Sequence, residues 1–130
     1  MTDHRTAPRF DTTTEAGIVT VHCTGEVDLG SACRFRDVLL APIHAGALGV
    51  VADLTGTTFC DSTVFSALAE AFRAAAARDV PYAIAAGEVA VVRPLHILGL
   101  DRVLPLHAGL DAAHAAVRSA GVRTAAPAGP

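Results

Sequence analysis

Residues 48–54, LGVVADL, restrict the fold more than any other stretch of this chain. They form a short, nearly continuous apolar run, too brief for a helix and without the polar alternation of a strand that faces water on one side. Such a run reads as a strand covered on both faces. A strand of that kind needs a layer of structure above it and another below, so the rest of the chain must supply helices for both.

The flanking sequence offers them. Residues 18–23 (IVTVHC) are β-branched and alternating, bounded by Gly17 and Gly25, and read as a second strand, with residues 10–14 as its hairpin partner. After Gly30, Ser31 is positioned to cap a helix that carries Phe35, Leu39 and Ile43 on one face and that Pro42 ends or bends. The small residues 55–58 read as a turn. Residues 62–78 favour helix, with Val64, Phe65, Leu68 and Phe72 as the buried stripe and Ser66, Glu70 and Arg73 off it. A strand is expected at 82–86, a helix at 88–98 broken by Pro94 and stopped by Gly99, a short strand at 103–106 and a last amphipathic helix at 110–120. The alternation of β and α elements predicts an α/β layer fold with several parallel strands.

A length of 130 residues suits one domain, expected over residues 9–120 between loose ends at 1–8 and 121–130. Hydrophobic residues at 52% and charged residues at 18% exclude a disordered chain, while aromatics at 5% leave a core of aliphatic side chains. The net charge is −3, and the ten basic residues, all arginine, are scattered, which argues against nucleic-acid binding. The longest uncharged stretch, residues 38–52, is shorter than the roughly 20 residues of a membrane helix and contains Pro42. Residues 1–9 lack the apolar segment of an export signal, so a cytoplasmic protein is expected. Cys23, Cys33 and Cys60 fit neither a disulfide framework nor a zinc motif and read as reduced thiols. The dispersed histidines give no metal-ligand spacing.

Chemistry concentrates at Cys60-Asp61-Ser62-Thr63, between a buried strand and an alanine-rich helix. Asp61, Ser62 and Thr63 are good capping and first-turn residues. A hydroxyl there also sits where unpaired backbone N–H groups and the helix dipole favour negative charge. Phosphorylation would add about −1.5 to −2 charge, which the helix end tolerates and a matching partner surface does not. An enzyme with Ser62 or Cys60 as nucleophile would need a positioned base, and no histidine lies near them in sequence; catalysis is not expected.

Four segments, Gly25-Glu26-Val27-Asp28-Leu29, Val50-Val51-Ala52-Asp53-Leu54, Phe59-Cys60-Asp61-Ser62-Thr63 and Gly99-Leu100-Asp101-Arg102-Val103-Leu104-Pro105-Leu106, resemble, in order and spacing, the STAS domains of the bacterial anti-sigma-factor antagonists. The resemblance covers residues 9–118. It implies a mixed, mostly parallel sheet of four to five strands packed with about four helices. It also implies a phosphoswitch: the unphosphorylated protein binds an anti-sigma factor that is a serine kinase, a sigma factor is released, the kinase uses Mg-ATP to phosphorylate the antagonist, and a serine phosphatase reverses the step. The acceptor of the family follows the Asp and maps onto Ser62, with Thr63 as the alternative; Asp28 matches a loop acid near the kinase contact. The contact surface is then expected to include Asp28, Asp61, Ser62 and Thr63, with Ser66 and Glu70 added by helical spacing. No cofactor is expected on this chain. Where the family commonly has Gly-Leu after the acceptor pair, this chain has Val64-Phe65, and a branched Val64 is expected to alter the docking surface. The alternative is a STAS module that binds its partner constitutively, without phosphorylation.

Overall fold

The computed structural model describes residues 7–125. Its elements run β1 (Arg9–Glu15), β2 (Ile18–Val27), α1 (Leu29–His44), β3 (Gly49–Cys60), α2 (Ser62–Ala77), β4 (Tyr82–Ala85), α3 (Val89–Ile97), a 3-10 turn (Leu100–Arg102), β5 (Leu106–His107) and α4 (Leu110–Ala125). One five-stranded sheet has the order β1-β2-β3-β4-β5. β1 is antiparallel to β2, and each later strand is parallel to its neighbour. This is the mixed α/β sheet with four helices that the resemblance implies.

The hairpin closes on Ala16 and Gly17, both at positive φ (52° and 81°), the backbone of a two-residue turn matched to strand twist. Gly17 is doubly constrained, since a Cβ there would lie 2.6 Å from the Leu48 side chain.

β3 is the central strand. Val50, Ala52 and Leu54 enter the larger core with Val21, Phe35, Leu39, Ile43, Val64 and Leu68, beneath α1 and α2. Val51 points the other way, into a smaller core with Ala83, Ala85, Ala113 and Val117 of α4. The strand is thus covered on both faces, as its composition demands.

Five expectations need correction. Residues 55–58 are not a turn: β3 runs unbroken to Cys60, held against β2 by pairs such as Thr24↔Gly56 and Gly25↔Thr57 across two register shifts. The cap of α1 is Asp28, with Ser31 inside the first turn; the Ser31 hydroxyl accepts from the Asp28 amide and donates to Asp28 Oδ1, each at 3.2 Å. Pro94 does not break α3, because buried Val91 and Leu95 anchor the helix on either side of it and packing outweighs one lost amide bond. Residues 100–102 form a 3-10 turn and Val103 is exposed, so the last strand shrinks to Leu106–His107. The final helix continues to Ala125, which makes residues 121–125, read as tail, helical; residues 1–6 and 126–130 of the expected loose ends lie outside the described residues.

Candidate functional site

The parallel pairing of β2 and β3 builds the site. Val27 and Cys60 are register partners at the ends of their strands, and the Asp61 amide donates to the Val27 carbonyl at 3.3 Å. The next residue on each strand, Asp28 or Asp61, starts a helix. Two helix N-termini, each headed by an aspartate, therefore stand side by side at the C-terminal ends of the paired strands, a juxtaposition that neither segment reveals alone.

At α2 the cap is fully made. Asp61 Oδ1 accepts from the Thr63 amide at 3.0 Å and from the Thr63 hydroxyl. Thr63 is thereby folded back onto its own cap. Ser62, the first residue of the helix, is exposed, and its hydroxyl makes no hydrogen bond among the described residues. Of the two candidate hydroxyls, one is committed and one is free. Four residues on, the exposed Ser66 donates to the Ser62 carbonyl at 3.3 Å, on the same side of the helix.

Glu70 is less available than helical spacing implied. Its carboxylate pairs with Arg36 of α1 at 2.6 Å, and that hydrogen bond holds the Glu70 carboxyl below its ordinary range. It bridges the two helices whose N-termini form the site, and it presents to a partner as half of an ion pair.

Val64 corrects a further expectation. Its side chain is 0% exposed and lies within the core, so it points away from any docking surface instead of altering one. Cys60 is buried: burial first, then the neighbouring Cys23 and Asp61, pushes its thiol up to about 12, and burial takes Cys23 to about 11. Cys33 is exposed and also free. Among the described residues no group of three or more His, Cys, Asp or Glu side chains is placed to hold a metal ion, and no helix is long and apolar enough to cross a membrane.

One polar cluster escaped the reading of the sequence. On the sheet face toward α4, His22 Nδ1 lies 2.7 Å from Asp53 Oδ2, and His22 Nε2 lies 2.9 Å from the Thr13 hydroxyl. Asp53 Oδ1 accepts from the Thr55 amide and hydroxyl at 3.0 and 2.6 Å. Burial acts to raise the Asp53 carboxyl, but the Thr55 and His22 contacts outweigh it and hold the group below its usual 3.8. The alternation of Thr20 and His22 in β2 was the available signal.

The STAS domain family model matches residues 9–113. An anti-sigma factor antagonist from Mycobacterium paratuberculosis is 26% identical and superposes with a TM-score of 0.77, over 86% of this chain and 95% of its own. SpoIIAA of Bacillus in its unphosphorylated form is 18% identical with a TM-score of 0.73, over 85% of this chain and 97% of its own. RsbS of Moorella thermoacetica is 22% identical with a TM-score of 0.68, over 85% and 96%. At these identities the last two speak for the fold. No curated protein matches the sequence.

Proposed function

The chain belongs to the STAS domain family, and from that premise we propose that it is a cytoplasmic anti-sigma-factor antagonist switched by phosphorylation of Ser62. In the unphosphorylated state it binds an anti-sigma serine kinase through the paired helix starts, with Asp28, Asp61, Ser62 and Thr63 at the centre and Ser66 and the Arg36–Glu70 pair along the flank. Binding diverts the kinase and frees a sigma factor. Transfer of the γ-phosphoryl group from the Mg-ATP held by the kinase to Ser62 Oγ ends the complex, and a serine phosphatase restores the binding form.

The observation that carries this reading is the contrast between the two hydroxyls: Ser62 exposed and unbonded, Thr63 tied to Asp61. Physical chemistry supports the consequence. The dipole at the α2 N-terminus favours the negative charge of a phosphoryl group, so the fold survives. The added charge of about −1.5 to −2 stands beside Asp28 and Asp61, and a partner surface shaped for the neutral serine meets it unpaired. The similarity to the Mycobacterium antagonist supports the same role.

The alternative is a constitutive module; Val64, where the chain departs from the family's glycine, is buried and gives that reading no support. The test is calorimetric titration of the cognate kinase, in its ADP form, with Ser62→Ala and Ser62→Asp proteins. The alanine protein is expected to bind as wild type does and the aspartate protein at least ~10-fold more weakly, about 1.4 kcal/mol. Equal affinities would establish constitutive binding.

A further inference from the structure

The Thr13, His22 and Asp53 side chains lie on one face of the sheet, away from the strand ends that carry Ser62. Thr13 of β1 is paired with Thr20 of β2, and His22 lies two residues further along. The three form a chain from a hydroxyl through an imidazole to a carboxylate, with contacts of 2.9 and 2.7 Å. Asp53, 7% exposed, is itself fixed by Thr55. In the tautomer that gives the Nδ1 proton to Asp53, His22 Nε2 accepts the Thr13 proton. That is the arrangement of nucleophile, base and orienting carboxylate that activates a hydroxyl.

Beside the hydroxyl is somewhere for a substrate to sit. Thr13, Glu15, Thr20, His114 and Arg118 line a cavity of about 80 Å³ between the hairpin and α4. At roughly 30 Å³ per water molecule this holds two to three waters, the size of an acetyl group and too small for a long acyl chain. The His114 ring is pinned by Thr20 Oγ1 at 2.8 Å. Arg118 brings positive charge to the space where a carbonyl oxygen would become anionic, and Glu15 disfavours anionic donors.

We propose that Thr13 is a nucleophile, with His22 as its base and Asp53 as the positioning residue, that accepts the acyl group of small, neutral, activated carboxylic esters. Thr13 Oγ bonds to the ester carbonyl carbon while its proton passes to His22 Nε2. The bond from that carbon to the departing oxygen breaks, and His22 returns the proton to the leaving group. Water then adds to the acyl-threonine with His22 taking its proton; the carbon–Oγ bond breaks, the carboxylic acid departs and Thr13 recovers its hydrogen. No oxidant, metal or further reactant is needed.

The experiment treats the full chain with p-nitrophenyl acetate and follows phenolate release, intact mass and peptide maps. The chain contains no lysine, which removes the main source of non-specific acetylation. The expected result is one acetyl group on Thr13, reduced at least tenfold in Thr13→Val and His22→Gln. Thr13→Ser, which keeps the nucleophile with little change of shape, should still be labelled. Asp53→Asn would favour the opposite imidazole tautomer, so labelling should fall, and Asp53→Glu, which restores a carboxylate, should recover it; a merely structural Asp53 would be served better by the near-isosteric Asn. A folded wild type with neither acetyl on Thr13 nor phenolate release above that of Thr13→Val, or labelling of Thr13 unaffected by His22→Gln, would overturn the proposal.

Discussion

Replacing Val64 with glycine, the residue common in the family at this position, tests the packing account at its most exposed point. Val64 is in the first turn of α2 yet 0% exposed, in a core cluster with Cys60 and Leu68. Its three side-chain carbons, at about 0.8 kcal/mol per buried methylene, contribute roughly 2.4 kcal/mol. A cavity under a partly rigid helix adds about 0.5–1 kcal/mol. The poorer helix propensity of glycine relative to valine adds a few tenths more, about 0.4 kcal/mol. Val64→Gly should therefore lose about 3–4 kcal/mol, a large part of the roughly 5–15 kcal/mol that holds a typical domain. Urea unfolding followed by far-ultraviolet circular dichroism would read this as a midpoint about 2 M lower at an ordinary slope of about 1–3 kcal/mol per molar. Because the side chain points inward, phosphorylation of Ser62 by the cognate kinase should be unchanged where the variant remains folded. A loss under about 1 kcal/mol, or a large gain in phosphorylation rate, would refute the argument and return Val64 to the docking surface.

The cap and the buried carboxylate make separate predictions. Asp61→Ala should cost about 1 kcal/mol by leaving the Thr63 amide without its acceptor, whereas Asp61→Asn, which keeps an oxygen there, should stay near wild type in thermal melts. Asp53 has its carboxyl held below the usual 3.8, so its charged form stabilises the fold. That stability is fully present above the unfolded value and is lost as pH falls through the lower folded value. In acid titrations from pH 6 to pH 2, Asp53→Asn should accordingly show a shallower loss of stability than wild type below about pH 4; parallel curves would mean that the His22 and Thr55 contacts do not hold in solution.

Much of this architecture could be read from residue patterns, and the failures share a cause. The run at 48–54 announced a strand buried on both faces because that environment leaves a local imprint. Residues 55–58 imitate a turn because small residues are needed there for another reason: a Cβ on Gly56 would approach Thr24 Cγ2 to 2.7 Å, so the closeness of two strands, invisible locally, selected the glycine. The role of Val64 was misjudged in the same way, since the direction of a first-turn side chain depends on how α2 lies on the sheet. Ser62 and Asp61 were legible from capping chemistry. Asp28 entered through the family resemblance alone, its physical reason being the Val27↔Cys60 register, and the partnership of Glu70 with Arg36 depends on how two helices pack. His22 and Asp53, 31 positions apart, met only once β2 and β3 were paired.

The central claim is that Ser62 carries the switch, and site mapping tests it most directly. The protein isolated from its host during growth and under stress should be digested and its phosphopeptides sequenced, alongside Ser62→Ala and Thr63→Ala versions. The account predicts a single phosphoryl group on Ser62, absent from Ser62→Ala and retained in Thr63→Ala. Phosphate on Thr63, or none on the chain in any condition, would contradict it.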